Sequence, residues 1–315
     1  MKHEIVFAAN AHVAGRGGYA TVFQATWNDV PVAVKTACLD DEVEMKPCSA
    51  EDTHDSGKSW SVTCAIREIV LLSAISKHAS HPNVVAILDF DVMINKRACI
   101  VMPLAHGSLS KVISGKCRDL IPTPAMKRSW CADALAALAH LHLHSVMHRD
   151  VKPDNFLVMP NANDKVCASR LVVADFGLAR IVRPADVARG MTIHVVTLWQ
   201  RPPEILLGDE HYSFSADVWS LGLTLLYILK GAHLFANNEE CRQIGHIFRV
   251  FGIPTETSWR GVTELPHWEE FVNSDSDCVL RFQSRHTGVS PFDVIANSLK
   301  DDCSSFRSRR HADFA

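Results

Sequence analysis

Short runs rich in β-branched and aromatic residues fill the first part of the chain, at 4–13, 21–27, 30–36, 84–90 and 98–102. Gly, Asn-Asp and Asn-Lys turn signals separate them, the pattern of a mostly antiparallel sheet. Residues 38–61 interrupt it with a polar stretch, DDEVEMKPCSAEDTHDSGKS, that has few apolar positions to anchor it and is expected to be an exposed insertion. Ala65, Ile69, Leu72 and Ile75 then recur at helical spacing, so one helix breaks into the sheet. From Pro103 onward the period is helical. Thr123-Pro124 reads as an N-cap followed by proline at the first helical position, and Trp130, Ala134, Leu135, Leu138 and Leu141 are expected on one apolar face. Further helices are predicted at 217–229 and at 239–251, the latter carrying Ile244, Ile247, Phe248 and Phe251. A β-rich small lobe followed by a helical large lobe is an α+β arrangement.

Composition narrows the classes. The 315 residues are 47% hydrophobic and 21% charged, which excludes a disordered or disulfide-scaffold protein. Their number suits one large two-lobed domain or two domains. A net charge of −3 argues against attachment to nucleic acid or to an anionic membrane by bulk charge. Of the ten cysteines no two stand closer than Cys38 and Cys48, so there is no C-x-x-C pair, and reduced thiols are expected. The apolar run 5–9 is too short for a signal-peptide core, and the run 221–229 falls short of a membrane span. The expected location is intracellular, in nucleus, cytoplasm or both.

The candidate chemistry begins with Gly15-Arg16-Gly17-Gly18-Tyr19-Ala20, a glycine loop between strands that would let backbone N–H groups approach phosphates; alone it is equally a hairpin turn. On the next strand, Lys35 in Val32-Ala33-Val34-Lys35 could neutralise phosphate charge, and Glu68 in Ala65-Ile66-Arg67-Glu68 could hold its ammonium. The decisive run is His148-Arg149-Asp150-Val151-Lys152-Pro153-Asp154-Asn155, followed by Asp175-Phe176-Gly177 and Pro202-Pro203-Glu204. Phosphoryl transfer needs a carboxylate to accept a hydroxyl proton, which Asp150 suits, and oxygen ligands for Mg²⁺, which Asn155 and Asp175 suit. His140, His142, His144 and His148 include i, i+4 pairs, but no carboxylate or thiolate completes a metal set nearby.

In these motifs the chain resembles the protein kinases. Cys64-Ala65-Ile66-Arg67-Glu68-Ile69, Asp175-Phe176-Gly177-Leu178-Ala179-Arg180 and the run from Val195 through Thr197-Leu198-Trp199-Gln200-Arg201 to Gly208 are similar to the cyclin-dependent branch, as is Gln243-Ile244 through Pro254. The resemblance covers about residues 5–268. It implies a bilobal kinase fold, with a small lobe at 5–102, a large lobe at 103–315, and a hinge at 102–106. It implies that ATP lies against Gly15, Gly17, Val22, Ala33, Met102 and Leu157, with Lys35 on its phosphates and Mg²⁺ on Asn155 and Asp175. Asp150 would be the base, Lys152 would steady the γ-phosphate, Thr197 would buttress both, and His148 would stack in the core beneath Phe176.

The resemblance further implies Ser/Thr specificity with proline after the acceptor, since Val195, Val196 and Arg201 match the segment that turns a carbonyl away from that residue. A cyclin-like subunit would bind the helix carrying Glu68. Phosphate on Thr192 would gather Arg67, Arg149 and Arg180, which would otherwise repel one another, and phosphate on Tyr19 would inhibit. Several positions depart from the family. Ala20 replaces the third loop glycine, Gln200 a usual tyrosine and Pro202 a usual alanine, and 33 positions separate Lys35 from Glu68. The likeness weakens after 268, where Arg309 resembles the family's arginine partner of Glu204 and the closing helix is expected to be incomplete. A pseudokinase scaffold is the alternative of a different class. A mitogen-activated kinase is the other, but Met191-Thr192-Ile193-His194 lacks its Thr-x-Tyr pair.

Overall fold

The computed structural model describes residues 5–7, 13–16, 20–38, 57–94, 97–117, 120–160, 169–193 and 196–273. Gly17, Tyr19, Val195, Arg309 and most of the expected insertion lie outside the described residues. Two compact units divide the chain: residues up to Arg149 together with Pro153–Ile181, and Asp150–Lys152 together with the residues from Val182 onward.

The first unit holds an antiparallel sheet. Its strands are β1 (Ile5–Phe7), β2 (Val13–Arg16), β3 (Thr21–Trp27) and β4 (Val30–Cys38), followed after helix α1 (Gly57–His78) by β5 (Asp89–Ile94) and β6 (Arg97–Pro103). They run in the order β1-β3-β4-β6-β5, with β2 also on β3. Asn28 and Asp29 join β3 to β4 with φ of 51° and 63°, the paired left-handed residues of a tight hairpin whose twist matches its strands. Val32 and Val34 turn to one face, where they pack with Ala25, Cys99 and Val101. Ala33 and Lys35 therefore turn to the other, with Val22 opposite Lys35 and Met102 opposite Ala33.

Helix α1 buries Ala65, Ile69, Leu72 and Ile75, as their spacing predicts. It starts at Gly57, however, inside the stretch expected to be an insertion. The turn-forming Ser56-Gly57 and polar Lys58-Ser59 conceal a helix start whose stability comes from tertiary packing further along. The expected strand at 84–90 is also revised. Val84 only bridges Val173, the Val85 amide donates to the Val173 carbonyl and the Leu88 amide to that of Val101, so no single strand is paired until β5 begins at Asp89.

The same unit continues with β7 (Gly107–Ser108), α2 (Leu109–Ile113), α3 (Pro124–Leu143), β8 (Val146–Met147), a 3-10 turn at Pro153–Asn155, β9 (Phe156–Pro160), β10 (Ser169–Val173) and β11 (Arg180–Ile181). Thr123 caps α3 by accepting from the Met126 amide at 3.2 Å, with Pro124 first in the helix. Trp130, Ala134, Leu138 and Leu141 are buried, each large one stabilising by about 1.5–3 kcal/mol. Leu135 is 51% exposed, a correction to the expected face: five positions after Trp130, it points away from the i, i+4, i+8 stripe. The end of α1 is sewn to β10 and α3. Asn83 Nδ2 donates to the Leu171 carbonyl at 2.9 Å, and the His81 and His140 rings stack at 4.6 Å.

In the second unit come α4 (Pro184–Ala188), α5 (Pro203–Leu206), α6 (Phe214–Lys230), α7 (Glu240–Phe251) and α8 (Trp268–Asn273). Leu206, Leu207, Leu223, Phe235, Ile244, Ile247, Phe248 and Phe271 form its core. Phe251 keeps the helical period but stays 43% exposed at the edge of that core, against Trp219. Gly231 ends α6 in the left-handed region at φ 80°, its amide returning to the Tyr227 carbonyl.

Candidate active site

The candidate residues fall into two clusters, one in each unit. In the first, Lys35 Nζ donates to Glu68 Oε1 and Oε2 at 3.0 and 2.7 Å, and to Asp175 Oδ1 at 2.9 Å. The sheet register turns Lys35 toward α1, and helical spacing turns Glu68 back to meet it, so residues far apart in sequence close a buried ion pair. Burial alone would lower the Lys35 ammonium, but the Glu68 and Asp175 carboxylates override it and hold it well above the ordinary lysine range. Burial pushes the Glu68 carboxyl up against the pull of Lys35. The Phe176 amide also donates to Glu68 Oε1, at 3.3 Å. Glu68 is thus joined both to the sheet and to the segment that carries Asp175.

Asp175 is a non-glycine residue at φ 65°, and Arg149 another at φ 64°. Such conformations cost about 1–2 kcal/mol each, and here the neighbours on both sides are pinned. Ala174 N–H donates to the Asn155 carbonyl at 2.8 Å, while His148 Nε2 meets the Ala174 carbonyl at 3.0 Å. His148 is fully buried, with its ring edge-on to Phe176 at 5.1 Å, as expected. Gly177 lets this segment approach α1, because a Cβ there would stand 3.3 Å from Cys64 Cβ.

The Ala174–Asn155 bond brings the Asn155 and Asp175 segments together, with half of the Asp175 side chain exposed. A carboxylate and an amide oxygen are hard donors, and Mg²⁺ commonly takes one or two protein ligands beside phosphates and water, so the pair fits that ion. Among the described residues there is no group of three or more His, Cys, Asp or Glu that could hold a metal. His140 instead reaches the Ala79 carbonyl at 2.7 Å, and His144 the His140 carbonyl at 2.9 Å.

The second cluster is a closed triangle. Thr197 Oγ1 donates to Asp150 Oδ1 at 2.6 Å, and Lys152 Nζ reaches Asp150 Oδ2 at 2.9 Å and Thr197 Oγ1 at 2.9 Å. One threonine hydroxyl therefore aims the carboxylate and accepts from the lysine. Asp150 is 8% exposed, so the carboxylate is largely shielded from water and held in one rotamer.

Other expected site residues are placed as follows. Gly15 pairs with Val22, Ala33 with Met102, and Ser108 with Leu157. Arg67 Nη1 donates to the Gly177 carbonyl at 2.8 Å and Arg149 Nε to that of Leu178 at 2.7 Å, so adjacent carbonyls hold two of the three guanidinium groups. Arg180 lies in β11 opposite Met147. Thr192 is exposed, and its carbonyl accepts from the Tyr212 hydroxyl at 2.5 Å. Arg201 donates from Nε and Nη2 to the Val196 carbonyl at 3.1 and 2.9 Å, and pairs with Glu240. Sequence reasoning missed Glu240, whose only signal was an acidic residue in the first turn of a predicted helix.

A model of the protein kinase domain matches residues 9–305. Among solved structures, a chain of the yeast RNA polymerase II CTD kinase complex CTDK-1 matches with 25% identity over 93% of this chain and 90% of that one, at a TM-score of 0.63. A chain of the CAK complex of Chaetomium thermophilum bound to ATP-γ-S matches with 25% identity over 94% and 89%, at 0.64.

Proposed function

The chain belongs to the protein kinase domain family, and from that premise we propose that it is an active, proline-directed Ser/Thr kinase of the cyclin-dependent type, transferring the ATP γ-phosphate to protein substrates. The observation that carries this reading is the Lys35–Glu68 pair at 2.7 Å, because a scaffold has no need to bury an ion pair aimed at phosphates. Lys35 neutralises charge on the phosphates, with Val22, Ala33, Met102 and Leu157 against the adenine and Gly15 and Gly17 at the loop. Asn155 and Asp175 hold Mg²⁺, which when bound supplies further neutralisation of phosphate charge. Asp150 orients the substrate hydroxyl and accepts its proton, and Lys152 stabilises the transferring group. Thr197 fixes the rotamers of both.

Two features support the finer reading. Arg201 occupies the Val196 carbonyl with two hydrogen bonds, which leaves no acceptor there for the amide of the residue after the phosphoacceptor. Proline has no amide to leave unsatisfied. On α1, Ile66 and Val70 are 47% and 60% exposed at i, i+4 spacing, an apolar face suited to a cyclin-like subunit. Such a partner would act on the helix that carries both Arg67 and Glu68. Phosphate on Thr192 would then recruit Arg67, Arg149 and Arg180 by charge-assisted hydrogen bonds, and phosphate on Tyr19 would crowd the nucleotide. The protein would work inside the cell, in nucleus, cytoplasm or both.

The test is transfer of labelled γ-phosphate to paired Ser-Pro and Ser-Ala peptides, with and without candidate cyclins. The Ser-Pro peptide is expected to react at least about tenfold faster, in line with one unsatisfied amide. Equal rates would remove the proline preference, and no transfer under any condition would remove the kinase reading.

A further inference from the structure

Strand β2, at the root of the glycine loop, is not a regular ladder. Val13 pairs with Phe23 and Gly15 with Val22, so Ala14 is the extra residue of a β-bulge. A bulged residue is left out of the ladder, and its carbonyl must find another donor. That donor is Lys111, whose Nζ reaches the Ala14 oxygen at 2.6 Å from 97 positions away.

Lys111 lies in α2, which is rooted on the other side of the nucleotide residues. Ser108, immediately before α2, pairs with Leu157 in β9, and its hydroxyl accepts from the Lys111 amide at 3.4 Å. Ser110 Oγ meets Ser108 Oγ at 3.0 Å and donates to Asp154 Oδ1 at 2.5 Å, beside Asn155. The helix is therefore fixed to the strand that carries Leu157, while its lysine reaches the strand whose Gly15 pairs with Val22. Val22 and Leu157 are the residues assigned to opposite sides of the adenine, and the Lys111–Ala14 bond joins the elements that bear them.

We propose that Lys111 is a positioning residue that tethers the root of the glycine loop to α2 and so retains bound nucleotide. This rests on the kinase reading of the same site. A charge-assisted bond to the Ala14 carbonyl holds β2, which carries Gly15, to α2 without touching Lys35, Asp150 or Asp175. Opening of the tether is a step in nucleotide release, and release commonly limits turnover in enzymes with mobile loops.

The experiment uses the full chain and a fluorescent N-methylanthraniloyl ADP. Lys111→Met keeps the aliphatic stem and removes the ammonium. The probe is expected to leave it about tenfold faster than wild type, and KM for ATP to rise by a similar factor with kcat undiminished. Lys111→Arg is expected to restore slow release. Unchanged release and KM in Lys111→Met, beside a wild-type chain that binds the probe, would overturn the tether alone. A fall in kcat with unchanged nucleotide affinity would overturn it too. A wild-type chain that binds no probe would overturn the kinase reading and the tether together.

Discussion

The Lys35–Glu68–Asp175 cluster and the Asp150–Lys152–Thr197 cluster are both hydrogen-bonded carboxylate–lysine sets, yet they are built in opposite ways. The first is assembled from three distant segments, 33 and 140 positions apart, and hinges on one helix. The second places its base and lysine two positions apart and locks them with a single hydroxyl. The first set depends on where one helix stands, whereas the second keeps its base and lysine in one short loop and takes only its hydroxyl from 47 positions further on. The helix in question carries exposed Ile66 and Val70 on one side and buried Glu68 on another, so a partner on the apolar face would act directly on the ion pair. Under the proposed function, a cyclin-type partner would switch the first cluster, while the second would carry the chemistry.

The largest effect that bears on this contrast comes from the first cluster. Lys35→Met removes the only cation between two carboxylates in that contact set and is expected to lower kcat/KM by about 10²–10³, read by labelled phosphate transfer. Retention of wild-type kcat/KM would mean that the first cluster is structural. A smaller effect is expected from Ile66→Arg, at an exposed position. The unfolding free energy should stay within the range of an ordinary surface change, about 0.5 kcal/mol, while stimulation by a cyclin-type partner is lost. Full stimulation of that variant would place the partner elsewhere and dissolve the distinction between the two clusters.

Much of this was legible because the chemistry is written in short, ordered motifs. Asp150, Lys152 and Asn155 stand within one run, and Lys35 and Glu68 each sit in an element whose period was readable. The Asn28-Asp29 hairpin and the Thr123-Pro124 helix start were likewise local signals with a physical mechanism. What escaped was set by tertiary contact. The start of α1 at Gly57 lay in a polar run, and the loop before β5 drew its hydrogen bonds from two separate strands. Leu135 had the right residue type but the wrong angle. The left-handed backbones of Arg149 and Asp175 cannot be read from residue identity, since neither is glycine. Lys111 looked like any helix lysine until a bulge in β2, 97 positions away, supplied its acceptor.

The most direct measurement of the central claim is the turnover of Asp150→Asn beside wild type, with nucleotide affinity measured on the same samples. A neutral amide is close in shape to the carboxylate and keeps one of the two oxygens that accept from Thr197 and Lys152, but it cannot take the substrate proton. The account predicts that kcat falls by about 10²–10⁴ while the affinity for nucleotide stays within about twofold, because the nucleotide residues belong to the other cluster. Wild-type turnover from Asp150→Asn would contradict it.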